Sequence, residues 1–250
     1  MAQVIVYSLV SVAIISLVSL LGLVTFRIKT HHLHRTLVYL VSFSAGALLG
    51  DALIHLLPEA VEEAGFTVNI SIYVLLGIIF SFIVEKFIHW RHCHIPTSED
   101  HPHPLATMNL FGDAVHNFID GIIIGTSYLV SIPLGIATSL AVLFHEIPQE
   151  IGDFAVLLHS GLTKGKALWY NFLTATTALL GVGIAFWLEQ FSGNILSLLI
   201  PFAGGTFIYI ASSDLIPELH KETKLGRSAL QLFFIMAGIG VMYALLVFVG

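Results

Sequence analysis

Apolar residues run along this chain in eight long stretches, about 4–26, 37–57, 71–90, 107–130, 132–158, 167–190, 196–218 and 228–249. Each is near or above the roughly 20 residues that an α-helix needs to cross a hydrocarbon layer of about 30 Å. Short polar segments separate them and leave little chain over. The pattern predicts an all-α integral membrane protein of eight transmembrane helices, folded as a single transmembrane domain over residues 1–250.

Composition agrees: 56% of the 250 residues are hydrophobic and 10% charged, against about 45–50% and 25% in soluble domains. The solvent this chain expects is a lipid bilayer, and no nucleic-acid partner is expected. Only Met1, Ala2 and Gln3 precede the first stretch. Without a positive leader, and too long for a cleavable signal, that stretch reads as a retained helix. A lone cysteine, Cys93, excludes an internal disulfide framework.

The distribution of positive charge says more than the net charge of -6, because lysine and arginine stay on the cytoplasmic side of short loops. Arg27, Lys29 and Arg35 follow stretch one, Lys86 and Arg91 stretch three, Lys164 and Lys166 stretch five, and Lys221, Lys224 and Arg227 stretch seven. The opposite linkers carry acids instead, among them Glu59, Glu62, Glu63 and Glu189. Both termini are therefore expected on the extracytoplasmic side.

An internal echo pairs stretches two and seven. Ala45-Gly46 and Leu56-Leu57-Pro58-Glu59 recur as Ala203-Gly204 and Leu215-Ile216-Pro217-Glu218, offset by 158 or 159 residues. The charge topology gives the two segments opposite directions, as in the inverted repeats of many transporters. The longest linker, about 91–106, is polar, broken by proline and rich in His92, Cys93, His94, His101 and His103. These are ligands for a soft or borderline metal, carried on a tract with no fixed fold to hold them.

Ionisable residues inside a span cost several kcal/mol each and are normally functional or paired. Here they crowd into stretches four and five. Asp113, His116, Asn117 and Asp120 share one helical face, and His145, Glu146, Gln149, Glu150 and Asp153 form a second. Imidazole with carboxylate suits zinc, iron and manganese better than the all-oxygen cages of calcium or magnesium. Asp120, Glu146 and Glu150 supply enough charge for one cation and part of a second, so one or two ions per site are allowed. Pro148 lies inside the second stripe and removes one helix hydrogen bond, which is expected to leave the carbonyl of Phe144 open to a ligand role.

His116 to Gly125 reads HNFIDGIIIG, His145 to Ala155 reads HEIPQEIGDFA, and Gly50 to Ala60 reads GDALIHLLPEA. These segments resemble the signatures of the Zrt/Irt-like (ZIP) metal transporters, and the resemblance extends over the whole chain. It implies a 3+2+3 arrangement of the eight helices with an inverted repeat, and movement of Zn2+ toward the cytoplasm, with Fe2+, Mn2+ and Cd2+ as related cargo. By the same resemblance His116, Asp120 and His145 form one metal position, and Asn117 with Glu146 a neighbouring one. His55 resembles a residue the family uses near the entrance, with Asp51 one turn earlier on the same face. Asp113, Asp153 and Asp214 are candidate stepping stones, or supports for the ligand histidines. The chain departs from the pattern at Gln149, where relatives carry histidine or glutamate. Gln149 can coordinate through its carbonyl oxygen but brings no charge. No acid lies inside stretch six, so the first position is expected to dominate.

His145-Glu146-Ile147-Pro148-Gln149 also approaches the H-E-x-x-H motif of zinc proteases. The second histidine is missing and Pro148 distorts the helix, so an intramembrane metalloprotease is the weaker alternative, beside a metal-sensing membrane protein; no enzyme activity is expected. A homodimer is compatible with the pattern. The compact chain suits a prokaryotic inner membrane better than an organelle.

Overall fold

The computed structural model describes residues 2–22, 30–90, 105–190 and 195–248. Among these the chain is helical with short turns and contains no strand, arranged as eight rods. The first, α1, is Ala2–Val18 with a tighter turn at Ser19–Leu21. The second, α2, runs from Thr30–Gly50 through a π-helical turn at Asp51–Leu56 into Leu57–Ala64. Then come α3 (Val68–Trp90), α4 (Leu105–Val130) and α5 (Ile132–His159). The sixth, α6, is Lys164–Ala175 and Thr177–Glu189. The seventh, α7, joins Ile195–Tyr209 through a π-helical turn at Ile210–Leu215 to Ile216–Leu219, and α8 is Leu225–Phe248.

Six rods hold segments long and apolar enough to cross a membrane: Ala2–Leu21, Val38–Glu62, Val68–Lys86, Lys164–Glu189, Ser197–Leu219 and Leu225–Phe248. The other two, α4 and α5, have 26 and 28 residues, or roughly 40 Å at about 1.5 Å per residue. They are long enough, and what sets them apart is the polar stripe each carries. The outer rods expose large apolar side chains that water would not tolerate in such number, among them Val10, Leu17, Ile83, Leu180 and Phe233. The polar groups point the other way: Asp113, Asn117, Asp120, His145, Glu146 and Glu150 are all buried.

Three rod pairs approach so closely that only glycine fits. A Cβ on Gly46 of α2 would lie 2.1 Å from the carbonyl oxygen of Ile235, and one on Gly238 of α8 would lie 2.2 Å from that of Phe43. The same reciprocal contact joins α3 and α7 through Gly77 and Gly205, and α4 and α6 through Gly121 and Gly181. Lipid offers no hydrophobic drive to bring helices together, so backbone contact over small residues supplies van der Waals attraction in its place.

Helices α4 and α5 are a hairpin separated by Ser131 alone. Its extended backbone caps α5, and its hydroxyl accepts from the N–H of Leu134 at 3.2 Å. So short a link sets the relative depth of the two stripes.

Proline shapes three rods. Each π-helical turn lies just before one, Pro58 in α2 and Pro217 in α7, where the missing N–H interrupts the helical ladder. This is why α2 continues to Ala64 rather than ending near residue 57. Pro148 is tolerated inside α5 for another reason. The Phe144 carbonyl it frees accepts a hydrogen bond from the Ser44 hydroxyl of α2 at 2.5 Å. The carbonyl expected to stand open is therefore already engaged by a neighbouring helix.

Candidate metal centre

Four side chains from the two stripes meet inside the molecule. His116 and Asp120 come from α4, one helical turn apart, and His145 and Glu146 are adjacent in α5. One ligand atom from each lies within 4.8 Å of all the others. The His145 Nε2 atom is 3.0 Å from Asp120 Oδ2 and 3.3 Å from Glu146 Oε1. The His116 Nε2 atom is 3.2 Å from His145 Nε2, 3.3 Å from Glu146 Oε1 and 3.7 Å from Asp120 Oδ2. Ligands held about 2.0–2.1 Å from a tetrahedral ion are separated by roughly 3.4 Å. The five separations centre on that edge, and the donor set is two imidazoles and two carboxylates.

The surroundings prepare these groups for a cation. His145 Nδ1 lies 3.3 Å from the carbonyl oxygen of Ala141, so a proton carried there leaves the Nε2 lone pair facing the other ligands. The oxygens of Asp120 and Glu146 are buried and accept no hydrogen bond. Two anions in that setting are costly unless a cation joins them.

A second group adjoins the first. Asp113, Glu146 and Glu150 each offer one oxygen, again within 4.8 Å of one another. The Asn117 side-chain amide donates to Asp113 Oδ1 at 2.8 Å, and the Thr174 hydroxyl to Asp113 Oδ2 at 2.5 Å. The Asn171 side-chain amide donates to Glu150 Oε2 at 2.5 Å.

A cavity of about 360 Å³ reaches the metal cluster, lined by Asp113, His116, Asp120, Gln149 and Asp153 on one side and by Glu85, Thr206, Tyr209 and Asp214 on the other. Gln149 thus lies at the cavity wall beside the cluster. The Tyr209 hydroxyl donates to Glu85 and ties α7 to α3 at the cavity margin. Asp51 and His55 stand apart, in the π-helical turn of α2, with His55 Nδ1 3.2 Å from Asp51 Oδ1. His55 lines a different cavity with Pro58, Glu59, Glu62 and Ser131. The loop residues His92, Cys93, His94, His101 and His103 lie outside the described residues.

Sequence reasoning did not single out Glu85, Asn109, Asn171, Thr174 or Tyr209. Asn109 stands one turn before Asp113, and Asn171 and Thr174 are polar residues inside an apolar stretch. Those signals were readable. Glu85, beside Lys86, looks like an ordinary solvated helix end.

A bundle of apolar helices with a buried imidazole and carboxylate cluster defines a multi-pass membrane protein that handles a metal ion. A sequence model described as ZIP Zinc transporter matches residues 2–106 and 92–246, and the chain belongs to that family. It is 36% identical over 242 residues to the zinc transporter YKE4 of Saccharomyces cerevisiae, covering 83% of this chain and 70% of that protein. The zinc transporter ZIP13 of Pongo abelii is 33% identical over 225 residues, covering 84% and 67%. The metal cation symporter ZIP8 of Rattus norvegicus is 30% identical over 321 residues, covering 94% and 68%. These relatives are named as transporters, and the metalloprotease alternative is set aside. Transport of divalent metal across a membrane is the function the chain serves. The relatives are eukaryotic, so they lend no support to a prokaryotic inner membrane.

Proposed function

We propose that this chain carries zinc into the cytoplasm, with iron, manganese and cadmium as competing cargo, and that His116, Asp120, His145 and Glu146 hold the ion in transit. The observation that carries this reading is the set of ligand separations from 3.0 to 3.7 Å among two histidines and two buried carboxylates. Gln149 contributes at the cavity wall, and Asn117 holds Asp113. Asp113, Asp153 and Asp214 line the way between the ion and the cytoplasm. His55 and Asp51 serve the opposite entrance.

In this reading residues 1–250 form one domain with eight crossings, three helices, a central pair and three more, and both termini outside. The inverted repeat gains support from local structure. The π-helical turns Asp51–Leu56 and Ile210–Leu215 occupy equivalent places in the echo. The α2–α8 and α7–α3 contacts use the same reciprocal glycine crossing. Helices α4 and α5 then lie on the pseudo-axis, where inverted-repeat transporters build their sites.

Two outcomes follow. Replacing Gln149 with histidine adds an imidazole at the cavity wall and is expected to shift the competition among zinc, iron, manganese and cadmium; an unchanged profile would show that position 149 does not meet the ion. Uptake is also expected to weaken as external pH falls toward about 6.5, the ordinary imidazole value, because a histidine ligand must be neutral to bind. A pH series of initial uptake rates checks this, and activity rising in acid would point to proton coupling.

A further inference from the structure

We propose that the apolar cleft between α3, α4 and α7 is a binding site for one acyl chain of a membrane lipid. The cleft has a volume of about 410 Å³, within the range of about 300–1,000 Å³ that ligand sites occupy. Val115, Phe118 and Ile122 of α4 face Leu199 and Phe202 of α7 across it. The inference rests on the placement of these helices in a bilayer and is independent of which ion the histidine cluster holds.

The lining decides the occupant. Among the described residues that form the cleft Thr126 alone is polar, and its hydroxyl already donates to the carbonyl of Ile122 at 2.7 Å. The side chains thus offer an ion or a water molecule no partner, and apolar cavities of this kind stay dry and take apolar guests. The cleft is also continuous with the surface turned to lipid. Phe80 lines it and is exposed, as are Leu76, Ile79 and Ile83 on the same helix. Its length fits a single chain. Val115, Ile119, Ile122 and Thr126 follow one face of α4, over roughly 16 Å at about 1.5 Å per residue. That is about half of a hydrocarbon layer of roughly 30 Å, the depth that one lipid chain spans.

Each wall is committed to another partner. Helix α7 is drawn against α3, where a Cβ on Gly77 would lie 2.1 Å from the carbonyl oxygen of Phe202, and the Phe80 and Phe202 rings pack with centroids 5.4 Å apart. Helix α4 is drawn against α6, where a Cβ on Gly181 would lie 2.1 Å from the carbonyl oxygen of Phe118. The gap left between the two pairs would forfeit dispersion contacts along both walls if it stayed empty, and in a bilayer the nearest filler is a lipid tail. Ile119 belongs both to the cleft and to the cavity that reaches the metal cluster. The lipid chain therefore packs against the turn of α4 between His116 and Asp120.

The test uses the full chain reconstituted in phosphatidylcholine vesicles, doped with a phosphatidylcholine that carries a photoactivatable diazirine in one acyl chain. Mass spectrometry locates the labelled residues. Labels are expected on α4 between Val115 and Thr126 and on α7 at Leu199 and Phe202, in excess of those on Phe233 and Met236, which are exposed on α8. Ile122→Trp and Leu199→Trp put a ring into the space the lipid chain needs. Each is expected to lower labelling of the cleft by about tenfold, with Phe233 and Met236 labelled as before. Thermal unfolding in detergent certifies the fold, and Leu199→Phe, a smaller change, decides the matter where the tryptophan variants do not fold. Cleft labelling no higher than that of Phe233 and Met236, or unchanged in a folded, filled variant, would overturn the site. Cleft labelling that appears only when vesicles hold single copies of the chain would assign the groove to a second copy and overturn it as well.

Discussion

Exchange of His116 or Asp120 for alanine is expected to reduce zinc uptake by at least about a hundredfold, since partners standing behind metal ligands are already worth 10–100-fold. Both side chains belong to the four-ligand cluster, with His116 Nε2 3.3 Å from Glu146 Oε1 and Asp120 Oδ2 3.0 Å from His145 Nε2. Removing Asp120 also leaves Glu146 as the only carboxylate of the four, so a dication there keeps half its balancing charge. The check is the initial zinc uptake rate in proteoliposomes holding equal amounts of folded protein. Near-normal rates in both variants would remove these residues from the ion's path.

The second large effect is on stability. Gly121→Ala is expected to cost at or above the roughly 3 kcal/mol top of the usual range for overpacked interiors. The added Cβ would lie 2.0 Å from the carbonyl oxygen of Ala178, and a helix backbone cannot yield as a side-chain tip can. Gly183→Ala, in the same α6 that receives Gly121, meets nothing within 4 Å and serves as the control. Thermal unfolding in detergent separates the two. A midpoint for Gly121→Ala equal to that of Gly183→Ala would mean that α4 and α6 do not touch at this crossing. The ligands would suffer as well, because α4 carries His116 and Asp120 and α6 holds Asp113 through Thr174.

Much of the architecture could be read from hydropathy, because each apolar stretch ends where polar residues begin. The expected 107–130 and 132–158 became Leu105–Val130 and Ile132–His159. The expected 37–57 falls short at α2, where a π-helical turn precedes Pro58 and the helix continues to Ala64. The site was legible to the extent that it depends on spacing within one helix. His116 and Asp120 are four residues apart and fall on one face, and His145 and Glu146 sit at matching depth through the Ser131 hairpin. The contacts that depend on which helices are neighbours were not legible. Ser44 reaching Phe144, Asn171 reaching Glu150 and Tyr209 reaching Glu85 each span 21 or more residues of sequence. No local periodicity encodes such pairings.

Helices α4 and α5 are less apolar than their neighbours. The outer helices expose apolar side chains, whereas these two turn their polar stripes toward one another. Their polar groups are costly in a hydrocarbon layer and are tolerated because they are buried inside the bundle.

Flux is the most direct measure of the central claim. Purified chain in proteoliposomes, with zinc, iron, manganese and cadmium each presented down a concentration gradient, is expected to show saturable zinc entry well above that of protein-free vesicles, with the other metals competing. Entry of none of the four, from protein shown to be folded, would contradict it.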